Sequence, residues 1–435
     1  MFKQKLIEEI FVVFSLLFFS GAGSYFIAPT NPYYLIVQVA AYSIQVITIF
    51  LIIARWKTIA AFVVKEKLLW ILVGCALASV LWSQMPLLVT LSYDIGPGNG
   101  VIPFIRVTLF SIYFAACYGL KEQMRLLMWV FGIAVLFSIV VALLLPHYGV
   151  TGSMLMLAED ARHVGAWRGL YAHKNIFGLV MVLSAIIFYL GNSDRQRWIA
   201  WIGFSLSVAL ILLSTSKTSL VLLLTFIVLT PLYKALRWNY SVAIPFFIAV
   251  ILISGGAAAW FFDNATVILG SLGKDITLTG RTDIWAAVIN KIWERPWLGY
   301  GYHVFWLGVA DGTIELWSPT INKFIQPAHA HNGLLEIVLD LGFLGLFLFV
   351  CSYIKVCLQA IKYLRLNKSA EGLMPLAYLL FMLQSNLSEP LLMREDIFWI
   401  LYVSITLSLQ NFVSLTNSKN FLHQEVENKA LSSLV

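Results

Sequence analysis

Charge is what this sequence has least of. Only 12% of its 435 residues are Asp, Glu, Lys or Arg, against 60% hydrophobic, and the mean hydropathy is +0.84. A soluble domain cannot bury that much apolar surface, so the ordinary water-soluble classes are excluded and an integral membrane protein remains. Period-two alternation is missing as well. The apolar runs are continuous, which excludes a transmembrane β-barrel. Cysteine is scarce: Cys75, Cys117, Cys351 and Cys357 lie in or beside apolar runs without metal-ligand spacing, so neither a disulfide framework nor a zinc site is implied. A basic stripe is absent too. The net charge of +7 is scattered over short loops, which argues against a nucleic-acid partner. No internal repeat is visible.

What the chain does have is membrane-length runs. Spanning takes about 20 apolar residues, and about twelve runs qualify, near 10–28, 33–53, 68–83, 104–120, 124–145, 175–191, 198–214, 218–233, 240–260, 333–354, 372–388 and 397–414. The first is too long for the apolar part of a signal peptide and lacks a small-residue cleavage site, so it is expected to stay as a helix. Lys and Arg recur in alternate connections: Lys3 and Lys5, then Arg55 to Lys67, Lys121 and Arg125, Arg195 and Arg197, Lys234 and Arg237, and Lys355 to Lys368. That alternation predicts both termini in the cytoplasm. The expected fold is an all-α integral membrane protein of about twelve spans. Residues 1–435 form one polytopic domain, with a large periplasmic loop over 261–332 between the ninth and tenth spans.

The 261–332 interval is the longest polar stretch, and it opens and closes on functional side chains. After Arg281 the apolar residues Trp285, Val288, Ile289 and Ile292 fall on one helical face, with Thr282 as N-cap, Asp283 in the first turn and Pro296 as the stop. Arg281 thus sits at a helix N-terminus, where free N–H groups already favour an anion and a guanidinium can grip phosphate bidentately. The plainer alternative is a pair with Asp283 or a lipid headgroup. His331 precedes a membrane helix that Asn332 caps, with Glu336 and Asp340 one turn apart along it. Carboxylates inside a membrane are costly and usually have a task or a partner. A histidine can accept a proton from a sugar hydroxyl, or His331 only caps the helix while Glu336 pairs with a cation. His329 and His331 alone make a weak metal signal.

Other outside connections carry cations where topology disfavours them. The stretch RHVGAWRGLYAHKNIFG holds Arg162, Arg168, His173 and Lys174 at the entrance of a helix, fitting a pyrophosphate or, as plainly, lipid headgroups. The turn STSKTSL presents Lys217 among hydroxyls. NLSEPLLMRED carries Asn386, Glu389 and Arg394, a weaker signal.

Together, RGLYAHKNIFG, STSKTSL, LTGRTDIW with PWLGYGYHVFW, HAHNGLLEIVLDLGFLGL and NLSEPLL resemble the O-antigen ligase / exopolysaccharide polymerase superfamily of bacterial membrane proteins, over roughly Arg162 to Leu392. The resemblance implies a metal-independent membrane glycosyltransferase without cofactor, at the periplasmic face of the inner membrane. Its donor would be an undecaprenyl-pyrophosphate-linked glycan, and its acceptor a second glycan, in a polymerase, or the lipid A core, in a ligase. It implies that Arg281 holds the pyrophosphate and His331 activates the acceptor, both catalytic, with Arg162, Arg168, His173, Lys174, Lys217, Glu336 and Glu389 contributing to substrate binding. Lys217 stands where the family often has Arg, which keeps charge and loses the planar fork. The HKN and STSKTS motifs favour a polymerase. Membrane lipids surround such a protein, and a chain-length regulator or flippase would be its partner protein. A lipid-oligosaccharide flippase as the activity itself would call for two pseudo-repeated halves, which are not visible.

Overall fold

The computed structural model describes residues 2–24, 34–83, 85–86, 100–152, 164–191, 197–235, 237, 281–307, 314, 316–318, 323–325 and 327–432. The expected ninth span, the 261–280 part of the large loop and Arg162 lie outside the described residues.

The frame is helical: α1 (Phe2–Phe19), α2 (Tyr34–Ala54), α3 (Trp56–Val63), α4 (Lys67–Ala78), α5 (Val101–Cys117), α6 (Leu120–Leu144), α7 (Lys174–Leu190), α8 (Arg197–Leu213), α9 (Lys217–Ala235), α10 (Arg281–Glu294), α11 (Gly333–Leu366), α12 (Met374–Ser385) and α13 (Ile397–Ser432). Four stretches, 34–54, 120–144, 333–366 and 397–416, are long and apolar enough to cross a membrane, and five shorter apolar helices stand beside them. Every expected span except 240–260 overlaps one of these helices. The one non-helical ladder is a ribbon in the large loop, where β1 (Leu316–Ser318) pairs antiparallel with β2 (Lys323–Ile325).

Two helices form the centre. Along α7 nearly every residue from Phe177 to Leu190 is buried, and the first turns of α13 are buried all round, the pattern of helices enclosed by other helices. Small residues let the neighbours close in. A Cβ at Gly178 would strike Ser219 and one at Gly203 would strike Phe188, and Ser184 shares a hydrogen bond of 2.7 Å with Ser207 across α7 and α8. By contrast α2 exposes Leu35, Ile36, Val39, Val46, Phe50 and Ile53, as a lipid-facing helix should.

The sequence pattern reads as an unbroken tenth span, but α11 is broken at Gly342, where φ is +67° and ψ is −170°. The break frees backbone groups that the PWLGYG segment satisfies. Tyr300 N donates to Leu339 O at 2.8 Å and Gly301 N to Asp340 O at 2.9 Å, while Phe343 N and Leu344 N donate to Pro296 O (2.7 Å) and Trp297 O (3.3 Å). No side chain fits at the crossing. A Cβ on Gly342 would meet the Trp297 carbonyl and one on Gly299 the Leu339 carbonyl. Two glycine motifs far apart in sequence are thus halves of one lock, and the lock holds α10 and the following turn against the start of α11.

Candidate functional site

The starts of α7, α9, α11 and α13 and the ends of α1, α4, α6, α8 and α12 meet at one end of the frame. Glu389, on the turn after α12, is the hub there. Its Oε1 accepts from Asn175 Nδ2 at 3.0 Å and lies 3.7 Å from Arg281 Nη2. Its Oε2 lies 3.8 Å from His331 Nδ1, beyond hydrogen-bond length, so that attraction is electrostatic. Burial alone would raise the Glu389 carboxyl, but the imidazoles of His331 and His329 and the Asn175 amide outweigh it and hold the group below the ordinary carboxylate value. Glu389 is therefore an anion at neutral pH, seated between a guanidinium and an imidazole.

His331 is held in a left-handed conformation, φ +51°, which a non-glycine residue keeps only when its surroundings force it. The forcing contacts are on the adjacent Ala330 peptide. Glu336 Oε1 accepts from Ala330 N at 2.6 Å, and Trp285 Nε1 donates to Ala330 O at 2.9 Å. Behind the turn, Asn332 caps α11 as expected, its Oδ1 accepting from Leu334 N (3.0 Å) and Leu335 N (3.1 Å). The NLSEPLL turn docks on the same spot: Gly333 N donates to Asn386 O at 2.8 Å, and a Cβ at Gly333 would collide with the Asn386 side chain. Trp285 lies on α10, one turn after Arg281, so a single helix carries the guanidinium and grips the histidine turn. This fixes the one relative to the other.

Glu336, expected at the substrate, is placed differently. It is buried, and beyond the Ala330 bond it accepts from Trp306 Nε1 at 2.9 Å; it shapes the His331 turn from behind. Arg168 also has an interior task. It is buried, and its guanidinium donates to the carbonyls of Tyr148 (2.8 Å), Ala172 (3.3 Å) and His147 (3.4 Å), stapling the loop that leads into α7. His173 is the N-cap of α7, its Nδ1 accepting from Asn175 N at 3.2 Å. Lys174 and Lys217 stand at the first positions of α7 and α9, near enough to act on each other electrostatically, and Lys174 Nζ donates to Thr215 Oγ1 at 3.2 Å. Two ammoniums on two adjoining helix N-termini make a strongly anion-favouring corner, joined to Glu389 through Asn175.

His329 sits against His331, ring centroids 4.0 Å apart, and its Nδ1 accepts from His331 N at 3.2 Å. Burial, with the charges of His331 and Arg394, pushes its imidazole down to about 3, so it is neutral across the physiological range. The ligand atoms of His329, His331 and Glu389 lie within 4.8 Å of one another, a set of the right chemistry for a metal ion. Arg281 and Arg394 beside it oppose a divalent cation electrostatically.

Sequence reasoning gave Trp285, Trp306, Asn175 and Arg394 no role. The signals were present: Trp285 follows Arg281 at the i+4 spacing of one helix face, and Asn175 follows Lys174 directly. Their partners are remote in the chain.

Residues 202–350, which include Lys217, Arg281, His331 and the α11 break, match the family described as O-Antigen ligase. The chain is therefore a helical membrane protein with an O-antigen ligase domain. It is 30% identical over 197 residues to the exopolysaccharide production protein ExoQ of Rhizobium meliloti (strain 1021), covering 41% of this chain and 43% of that one. It is 39% identical over 85 residues, 18% of this chain and 19% of the other, to a Rickettsia conorii protein whose provisional name is polysaccharide ligase. The chain thus matches less than half the length of these relatives. Together they place it with the O-antigen ligase and exopolysaccharide family.

Proposed function

We propose that this protein is a glycosyltransferase of the bacterial inner membrane, with both termini in the cytoplasm. Its site end would face the periplasm, and it would polymerise polysaccharide repeats from an undecaprenyl-pyrophosphate-linked donor. The observation that carries this is Glu389: one carboxylate gathers Asn175, Arg281 and His331 from three remote segments at the end of the frame away from the Lys- and Arg-rich connections. In this reading Arg281, Lys174 and Lys217 hold the pyrophosphate. Glu389 faces Nδ1 of His331, which leaves Nε2 for substrate, the base-and-orienter arrangement of activated nucleophiles. The acceptor hydroxyl oxygen attacks the anomeric carbon and its proton passes to His331. The bond from that carbon to the pyrophosphate oxygen breaks, and its electron pair leaves with undecaprenyl pyrophosphate, whose developing charge the cations stabilise.

The test is single-turnover transfer by purified protein, with donor binding measured alongside. His331→Ala should slow transfer by on the order of 100- to 10,000-fold with donor binding near normal, because the base acts in the transition state. Arg281→Ala should lose donor binding, with Arg281→Lys rescuing poorly. Equal loss of binding and transfer in His331→Ala would make that residue a donor contact and overturn the assignment. Transfer should also survive EDTA; loss restored by one added metal would make His329, His331 and Glu389 its ligands. Deleting the gene separates polymerase from ligase: shortened glycans indicate the first, and full-length chains left unattached indicate the second. A cysteine replacing Lys274, in a protein without native thiols, should react with an impermeant reagent from the periplasmic side; reaction only after the membrane is opened would reverse the orientation.

A further inference from the structure

His329 and Glu389 belong to two compartments. On one side lie Arg281, Lys174 and Lys217. On the other is a cavity of about 250 Å³ bounded by the end of α1, the first half of α2, the start of α5 and the turn into α13. Its wall is unlike the basic corner. It presents Tyr34 and Tyr42, the amide of Gln38, the serines Ser20 and Ser24, and the charged pair Arg106 and Glu395. That pair is buried, with side-chain exposures of 7% and 5%, and the Tyr42 ring covers the Arg106 guanidinium at 5.7 Å. Asp396 and Glu389 complete the acidic rim.

Arg394 projects from this wall. Arg106, Arg281 and the other charged residues nearby have carboxylate partners, yet among the described residues Arg394 makes no ion pair or side-chain hydrogen bond. It is half-buried, and its placement is over-determined. Met393 before it takes φ +56° and is held by the Tyr302 hydroxyl donating to its carbonyl. Asn386 Oδ1 accepts from Leu391 N (2.8 Å) and Leu392 N (3.1 Å). A strained, braced turn that aims a guanidinium into a cavity is a built feature, since strain persists only where the fold enforces it. An uncommitted guanidinium in a part-buried cavity also calls for a ligand's oxygen atoms.

The lining selects the ligand class. Ionisable groups on the wall disfavour a polyprenyl hydrocarbon, which cannot hydrogen-bond them, and three carboxylates disfavour a second pyrophosphate. Phenolic rings with amide, hydroxyl and guanidinium donors suit a sugar ring, apolar on its faces and polar on its edge. The volume is below the roughly 300–1,000 Å³ of drug-sized pockets and matches one ring more closely than an oligosaccharide.

We propose that this cavity is the acceptor subsite, holding the terminal sugar of the acceptor glycan with its hydroxyl toward His331, and that Arg394 anchors that sugar through its oxygens. The inference rests on the glycosyltransferase reading, and it adds that donor and acceptor occupy opposite sides of the His329–Glu389 wall.

The test plugs the cavity and follows both sides separately. Gln38→Trp and Arg394→Gln are made in the full chain, purified in nanodiscs. Donor-side binding is read with undecaprenyl pyrophosphate alone, and transfer is read with lipid-linked glycan extracted from the native host. Each variant should raise the concentration of acceptor glycan needed for half-maximal transfer by about tenfold or more, with undecaprenyl-pyrophosphate affinity within about twofold. Arg394→Lys should recover part of the loss, since the charge returns without the fork. Parallel loss of undecaprenyl-pyrophosphate affinity would make the cavity part of the donor path, and unchanged transfer in both variants would empty it of any substrate role; either result overturns the proposal. Should Gln38→Trp misassemble, Arg394→Gln, half-exposed at the turn, carries the test alone. Native protein that binds undecaprenyl pyrophosphate but transfers nothing would instead defeat the underlying glycosyltransferase reading.

Discussion

At one end of the helices Lys355 lies 2.6 Å from Glu66, and Arg55 reaches both oxygens of Glu8 at 2.6 Å. At the other end Arg281 and His331 stop 3.7 and 3.8 Å from Glu389, and Arg394 has no such partner. The first set closes on itself. Glu66 is fully buried, and besides Lys355 it caps α4 through Leu69 N; Tyr113 adds a hydroxyl to Glu8, and Arg125 pairs with Glu9 at 2.7 Å. Such saturated pairs fix helix ends and leave no donor for a ligand. The second set is braced by its surroundings instead of by its own contacts, which leaves guanidinium and imidazole nitrogens available. Charge geometry therefore separates structure from function in a chain where charge is rare.

The sharpest way to break that comparison is to neutralise one member at each end. Glu389→Gln should cut transfer about 100-fold or more, because His331 loses its orienter and Arg281 its counter-ion. Thermal stability should hold or rise, since a poorly paired buried carboxylate costs more than it returns. Lys355→Met should do the reverse. It strands the Glu66 carboxylate and costs about 2–4 kcal/mol, while transfer by the folded fraction stays within about twofold. Transfer assays beside melting curves decide it: equal losses of activity in the two variants would show that both ends serve the fold alone.

Next in size is the lock between α11 and the PWLGYG segment. Gly342→Ala must place a methyl at φ +67° against the Trp297 carbonyl. The expected cost is about 2 kcal/mol or more, and transfer should suffer too because the Tyr300–Gly301 turn loses its register. Gly132→Ala is the control, its Cβ meeting only Phe188 at an ordinary 3.9 Å. A melting curve for Gly342→Ala as high as that of the control would show the break to be tolerant.

These experiments fall on features that differ in how far the sequence revealed them. Arg281 and His331 stand out because few charges compete with them in an apolar chain, and each sits at a recognisable helix boundary. The break at Gly342 does not stand out. LGFLGL reads as continuous helix, and only the approach of Trp297 and Tyr300, some forty residues earlier, gives its carbonyls and amides other partners. Arg168 is ambiguous for a related reason, as the carbonyls that absorb it belong to residues 147 and 148 and backbone acceptors have no signature in sequence. Glu389 and Arg394 looked weak because what gives them meaning (Asn175, Arg281, Arg106, Tyr42) is scattered over the chain. Hydropathy reveals where helices run, but not which ends converge.

A smaller effect separates the two histidines. With its imidazole pushed down to about 3 by burial and neighbouring charge, His329 does not change protonation between pH 5 and 8. His329→Gln should therefore leave the shape of the pH–rate profile intact while lowering the plateau by about tenfold or less, through loss of the bond to His331 N. Disappearance of the acid limb in that variant would make His329 the titrating base.

The smallest effect concerns Asp396, at the start of α13, where burial pushes the carboxyl up to about 7 against hydrogen bonds from the Trp399 and Phe398 backbone and the charge of Arg394. Its Oδ1 accepts from Trp399 N at 2.9 Å, a cap that an amide oxygen can replace. In the unfolded chain an aspartate ionises near pH 4, so between pH 4 and 7 the folded state holds a proton that the unfolded state has lost. Stability from this group thus falls as pH rises through that window, and the full cost is present above pH 7. Because Asp396 is enclosed by protein but faces the cavity, water there moderates the cost to about 1–2 kcal/mol. Asp396→Asn removes the titration and keeps the cap. Its melting temperature should exceed that of the native protein by a few degrees at pH 8 and converge with it at pH 5. A constant difference between the curves would mean that Asp396 stays ionised throughout, and that the acidic rim of the cavity is fully charged at neutral pH.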